Sequence, residues 1–97
     1  MSKVLNMLGL ATRARKVTNG EEITLDAIKQ HQVQLVFLAS DAGQSTKKRI
    51  ENKCNSNNIP LVTEFTKTEL SMATGALNRV VIGVTDSGFR KRMLELL

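Results

Sequence analysis

The sequence predicts a three-layer α/β/α sandwich around a central mixed sheet of about four strands, built by a single domain spanning residues 1–97. Three observations lead there. Leu35-Val36-Phe37-Leu38-Ala39 and Val80-Val81-Ile82-Gly83-Val84 are apolar without alternation, the pattern of strands covered on both faces. Segments of helical period alternate with these strands, which favours layers of helix on both sides of a sheet. No linker, repeat or low-complexity stretch divides the chain, and a chain of this length buries roughly two-thirds of the surface its unfolded form exposes.

The elements follow in order. Val4, Leu5, Leu8 and Ala11 line one face of a helix over about 3–13, with Ser2 placed to cap it. A basic stretch, Arg13 to Lys16, leads to a brief strand at Val17-Thr18. Asn19 and Gly20 open a turn into a second helix, where Glu21 and Glu22 suit the first turn and Ile23, Ala27 and Ile28 supply an apolar side up to about Gln30. The buried strand at 34–39 comes next. A helix over about 46–55 then exposes Lys47, Lys48, Arg49 and Lys53 and buries Ile50 and Cys54. Residues 59–65 read as a strand with Pro60 at its start, where a missing N–H does little harm. Thr66 and Glu69 form a capping box ahead of Leu70 and Ala73, and Gly75 stops that helix. The strand at 80–84 leads into a last helix, capped by Thr85, Asp86 or Ser87, with Phe89, Met93 and Leu96 facing inward and Arg90, Lys91 and Arg92 outward.

Composition excludes several classes of function. The chain has one His, one Cys and no Tyr or Trp, and it lacks Cys-x-x-Cys, His-Glu-x-x-His, nucleophile-elbow and Walker patterns, so no catalytic residue, metal site or cofactor is expected. Cys54 reads as core and His31 as a solvated residue just past a helix end. Asp41 and Asp86 each follow a buried strand, a place from which carboxylates reach ligands; helix capping and loop hydrogen bonds are the plainer role for both. No apolar stretch approaches the roughly 20 residues that span a bilayer. Residues 1–16 lack acids and overlap in composition with transit peptides, yet their helical apolar face suits a structural helix, which makes the cytoplasm the expected location.

Charge is the positive signal. Lys and Arg number 14 against 9 Asp and Glu, for a net charge of +5, and ten of the cations fall into three groups: Arg13, Arg15 and Lys16; Lys47, Lys48, Arg49 and Lys53; Arg90, Lys91 and Arg92. Lys47, Lys48 and Arg49 of the middle group stand at a helix start, where the macrodipole prefers anions. Each group alone could be the solvated side of an element; with the net charge they point to a polyanion, RNA above all. The only aromatics, Phe37, Phe65 and Phe89, occupy core-like positions, so recognition should rest on backbone charge and RNA shape rather than stacking.

Several stretches also resemble a known family: Gly-Leu-Ala-Thr-Arg-Ala-Arg-Lys-Val at 9–17, Gly20 opening the second helix, Leu35 to Ala39 followed by Asp41-Ala42, and Glu69-Leu70 ahead of Ala73 and Gly75. Over nearly the whole chain this is similar to the ribosomal proteins called L-seven-Ae and L-thirty-e, which recognise kink-turn RNA, and in particular to the bacterial branch called YlxQ. The resemblance implies a non-enzymatic, ribosome-associated RNA-binding protein, a monomer without a small-molecule substrate. It implies that the turn at 18–26, with Asn19, Gly20, Glu22 and Ile23, meets tandem sheared G·A pairs. The loop at 76–80, with Ala76, Leu77, Arg79 and Val80, would pack against a flipped-out base. Arg13, Arg15, Lys16, Lys47 and Lys48 complete the expected RNA-binding set. Kink-turn binders typically show Gly, any residue, Asn or Lys, Glu or Gln, two of any kind, then Lys; here Glu22, Ile23 and Asp26 stand at the specified places. Carboxylates on that edge repel phosphate, so either RNA docks through Arg13, Lys16 and their neighbours or the target is not a standard kink-turn. The second expectation, from another class, is a protein-interaction module on the translation machinery with only generic RNA affinity.

Overall fold

The computed structural model describes residues 2–97. Its elements are α1 (Lys3–Arg13), β1 (Val17–Asn19), α2 (Glu21–Lys29), β2 (Leu35–Leu38), α3 (Gln44–Ser56), β3 (Leu61–Val62), α4 (Lys67–Thr74), β4 (Val81–Val84) and α5 (Ser87–Leu96). The strands form one sheet in the order β1-β4-β2-β3. β4 is antiparallel to both β1 and β2, and β3 runs parallel to β2, so the sheet is mixed as expected.

Period-two alternation sorts the apolar strands between two cores. Leu35, Phe37, Ala39, Ile82 and Val84 meet Val4, Leu5, Leu8 and Ala11 of α1, Leu70 of α4 and Met93 of α5. Val36, Leu38 and Val81 meet Ala27 and Ile28 of α2 and Ile50 and Cys54 of α3. The sheet is therefore covered by α1, α4 and α5 on one side and by α2 and α3 on the other, which makes three layers. Phe37 and Phe65 touch inside the first core with ring centroids 6.4 Å apart.

Helix ends follow local chemistry. Ser2 Oγ accepts from the Leu5 N–H, Asp86 from the Phe89 N–H, and Thr66 with Glu69 forms a complete capping box. α1 to α4 each stop in a Schellman turn: Lys16 N–H returns to Ala11 O at 2.9 Å, Gln32 to Ala27 at 3.0 Å, Ile59 to Cys54 at 2.9 Å and Ala76 to Ser71 at 3.0 Å. The left-handed residues in these turns are Arg15, His31, Asn58 and Gly75.

The structure corrects three details of the sequence-based assignment. β3 is two residues, not 59–65, because only Leu61 and Val62 pair with β2 while Phe65 has already turned away to hand its carbonyl to the Ser40 N–H at 2.8 Å. α3 begins at Gln44, two residues earlier than Thr46, with Gly43 at its N-cap. In α2 the inward position belongs to Thr24, fully buried, while Ile23 faces solvent. Thr24 is tolerated there because its hydroxyl pairs with that of Thr18 at 2.8 Å. That pair lies over Gly83, where a Cβ would stand 2.5 Å from Thr18 Oγ1 and 3.1 Å from Thr24 Cγ2.

Candidate nucleic-acid interface

Strand directions decide which loops meet. β1 and β2 both run towards the end of the sheet where β4 begins, as the pairs Asn19↔Ile82 and Leu38↔Val81 require. Gly20 N–H therefore reaches Val81 O at 2.9 Å, and Ala39 N–H reaches Val80 O at 2.8 Å. β3, parallel to β2, delivers the chain into α4 at the same end, where the Lys67 N–H donates to Asp41 Oδ1 at 2.8 Å. Three helix N-termini, those of α2, α3 and α4, thus gather around the loop that enters β4.

Between them lies a groove of about 350 Å³, lined among others by Gly20, Glu21, Gly43, Thr46, Asn78 and Val80. Gly20 and Gly43 serve as N-caps without a side chain, so the leading N–H groups of α2 and α3 receive no side-chain partner. Such termini favour anions, through free donors and the macrodipole together. Gly20 has φ 105°, a conformation that L side chains rarely adopt, and a Cβ there would meet nothing within 4 Å. The glycine therefore sets the backbone path and leaves the groove open.

The acids beside the groove are not bare. Glu21 accepts from the Thr46 hydroxyl at 2.8 Å and meets the Arg49 guanidinium at 2.7 Å; a second nitrogen of Arg49 lies 3.7 Å from Glu22. Arg49 thus serves as a counter-ion to α2 rather than as one more free cation of the α3 group, and two of the carboxylates expected to repel phosphate are offset from within. Asp41 is likewise engaged: it caps α4 across the loop, while its own following helix has no side-chain cap. Capping and loop bonding account for Asp41 and Asp86 alike.

The two segments singled out in the sequence come together here, and not all of the cations join them. Asn19, Gly20, Glu22 and Ile23 belong to the α2 side, and Ala76, Leu77, Arg79 and Val80 to the opposing loop, which turns at Asn78 with φ 55°. Ile23 and Leu77 are exposed apolar side chains, Leu77 at 85%. Among the described residues, the buried polar side-chain atoms without a hydrogen-bond partner are Asn19 Oδ1, Glu21 Oε2 and Arg79 Nε. All three belong to these two segments, and only the glutamate oxygen is compensated, by Arg49. Lys47 and Lys48 are the fourth and fifth residues of α3, with Lys47 beside Ser40 and Thr63 on the flank towards β3. Arg15 and Lys16 are elsewhere: Val17 pairs with Val84, and Lys16 O accepts from Thr85 at 2.9 Å, at the opposite end of the sheet. Arg13 lies back along α1 beside Gly9. Sequence reasoning missed Gly43, Thr46 and Asn78; a glycine between a buried strand and a helix was the available signal for the first.

A model of the ribosomal protein L7Ae/L30e/S12e/Gadd45 family matches residues 2–94. The chain is 37% identical over 95 residues to the RNA-binding protein YlxQ of Enterococcus faecium, covering 98% of this chain and 91% of that protein. It is 38% identical over 91 residues to the RNA-binding protein YlxQ of Bacillus subtilis (strain 168), covering 94% and 91%. A Bacillus halodurans protein described as of unknown function superposes with a TM-score of 0.95 at 45% identity, over 99% of this chain and 97% of that one. A 15.5kD RNA binding protein of Giardia lamblia shares the fold alone, with a TM-score of 0.78 at 16% identity over 97% and 87%. Matched along nearly its full length by sequence and by fold, the chain belongs to the ribosomal protein L7Ae/L30e/S12e/Gadd45 family.

Proposed function

We propose that this protein binds structured, kink-turn-type RNA in association with the ribosome, through the groove between residues 18–26 and 76–80. It acts by binding and not by catalysis, as a cytoplasmic monomer without cofactor or small-molecule substrate. The observation that carries the reading is the meeting of the two segments at a groove edged by two helix N-termini that have no side-chain cap. The free N–H groups of α2 and α3 suit phosphate oxygens, and Leu77 offers an apolar surface to an unstacked base. The names of the YlxQ relatives support the RNA part of this reading.

The carboxylates at the start of α2 weigh less against the proposal once Arg49 is counted, since it pairs with Glu21 and halves the negative charge of that turn. Ile23 stands in place of a polar contact, so discrimination shifts to backbone amides and to the 76–80 loop. A binding titration of a kink-turn RNA and a straight RNA duplex of equal length, each at two salt concentrations, tests this. Preference for the kink-turn that persists at the higher salt is the expected result. Equal, salt-labile binding of both RNAs would sink the kink-turn assignment, because electrostatic contacts to the backbone fade with salt while shape-specific contacts do not. A protein-interaction role on the translation machinery gains from the exposed Met72 and Leu77 on a neighbouring groove, and salt-insensitive binding to ribosomal protein without RNA preference would favour it.

A further inference from the structure

The cations that the fold keeps away from the groove fall in two neighbouring segments at the far end of the sheet. Lys16 is bonded through its carbonyl to Thr85, and Thr85 leads directly into α5, so Arg15 and Lys16 adjoin the N-terminal half of that helix, where Arg90, Lys91 and Arg92 lie. Among the described residues the ion pairs involve only Arg49 with Glu21 and Glu22, which leaves these five cations without a carboxylate partner. The acids on their side are Asp86, committed to the Phe89 N–H at 2.9 Å, and Glu95. An open groove of about 600 Å³ runs along α5 past Ser87, Arg90, Lys91, Leu94 and Glu95. Arg15 and Lys16 do complement the C-terminus of α1, but a helix end is worth about half a charge, several-fold less than the cations gathered here.

We propose that this surface, at the end of the sheet opposite the groove, contacts the phosphate backbone of a second RNA segment, so that the protein bridges two pieces of RNA. The proposal rests on the groove being the first RNA site. A phosphate backbone fits better than a protein partner, because the groove along α5 is lined by Arg90 and Lys91 with one exposed apolar side chain, Leu94, and no aromatic, whereas protein interfaces centre on aromatic and aliphatic anchors. The groove of α5 is open and shallow, which suits a contact made through charge and one that salt weakens.

The test uses the full chain and the quadruple variant Arg15→Gly, Lys16→Ser, Lys91→Ser and Arg92→Ser. Glycine fits the left-handed backbone at 15, and circular dichroism melting verifies the fold. Wild-type protein held on an immobilised kink-turn RNA should capture a labelled plain RNA duplex, and the variant should lose at least tenfold of that capture while binding the kink-turn RNA within twofold of wild type. The slope of log affinity for the plain duplex against log salt should fall by roughly three. Wild-type protein that captures no second RNA, or a folded variant that captures it undiminished, overturns the bridge. Should the variant lose the kink-turn RNA itself, there is one RNA surface and it is not the groove; that result overturns both the bridge and the groove reading. Equal first-site binding of kink-turn and plain RNA refutes the kink-turn assignment and leaves the bridge standing.

Discussion

Gly83 shows how one missing side chain fixes the distance between layers. Thr18, Thr24 and Val33 all reach over it, so a methyl group there has no room, and Gly83→Ala should cost about 1–3 kcal/mol, read as a lower denaturant midpoint at unchanged slope. Cys54 is governed by burial instead. Enclosed in the α2/α3 core, its thiol is pushed up to about 11 from 9.0. The folded state therefore holds the proton more tightly than the unfolded state. This contribution to stability is complete below pH 9 and is lost as pH rises from there towards 11, while iodoacetamide should leave Cys54 unmodified in native protein at pH 8 and label it after denaturation. Mass spectrometry reads the outcome directly. The core role of Cys54 was legible in the sequence from its spacing to Ile50. The outward turn of Ile23 was not, since a threonine was given no credit for burial that a neighbouring hydroxyl makes possible.

At the level of elements, caps written in the sequence were the easiest features to read. Thr66 and Glu69 close the N-terminus of α4 as the spacing requires, and Thr66→Ala should cost about 1 kcal/mol and lower the melting temperature by roughly 4–8 °C. Helix C-termini were partly legible: Gly75 and Asn58 are residues that accept left-handed backbone and His31 stands just past its helix, whereas Arg15 adopts that conformation without such an advantage and gave no sign. The link between α2 and α3 was invisible, because Arg49 and Glu21 are brought together only by packing on the same face of the sheet. This link has a functional signature. Arg49→Ala exposes Glu21 and Glu22 towards incoming phosphate, and should weaken RNA binding at low salt about fivefold more than Lys53→Ala, which removes the same charge; adding Glu21→Gln should recover most of the difference. The effect on stability should stay within about 1 kcal/mol, as the Arg49 side chain is half exposed.

For the molecule as a whole, the alternation of apolar runs with helical segments was enough to give the layers and the mixed sheet, while the placement of cations was not. The three basic groups, far apart in the sequence, divide between the two ends of the sheet: the antiparallel β1–β4 pair places Lys16 beside the start of α5, whereas Lys47 and Lys48 follow β2 out of the end that carries Gly20. The same architecture predicts a gradient of protection in hydrogen exchange. Amides of β2 and β4, paired on both sides at the centre, should exchange slowest, and residues 76–80, with Leu77 in solvent, fastest. Rapid exchange throughout β4 would contradict that ordering. The sheet also ends in strands of only three and two residues, β1 and β3. A neighbouring chain that sought to extend the sheet would find almost no free backbone ladder to template on, so crowding of this protein at high concentration, or its release from RNA, offers little foothold for fibril growth.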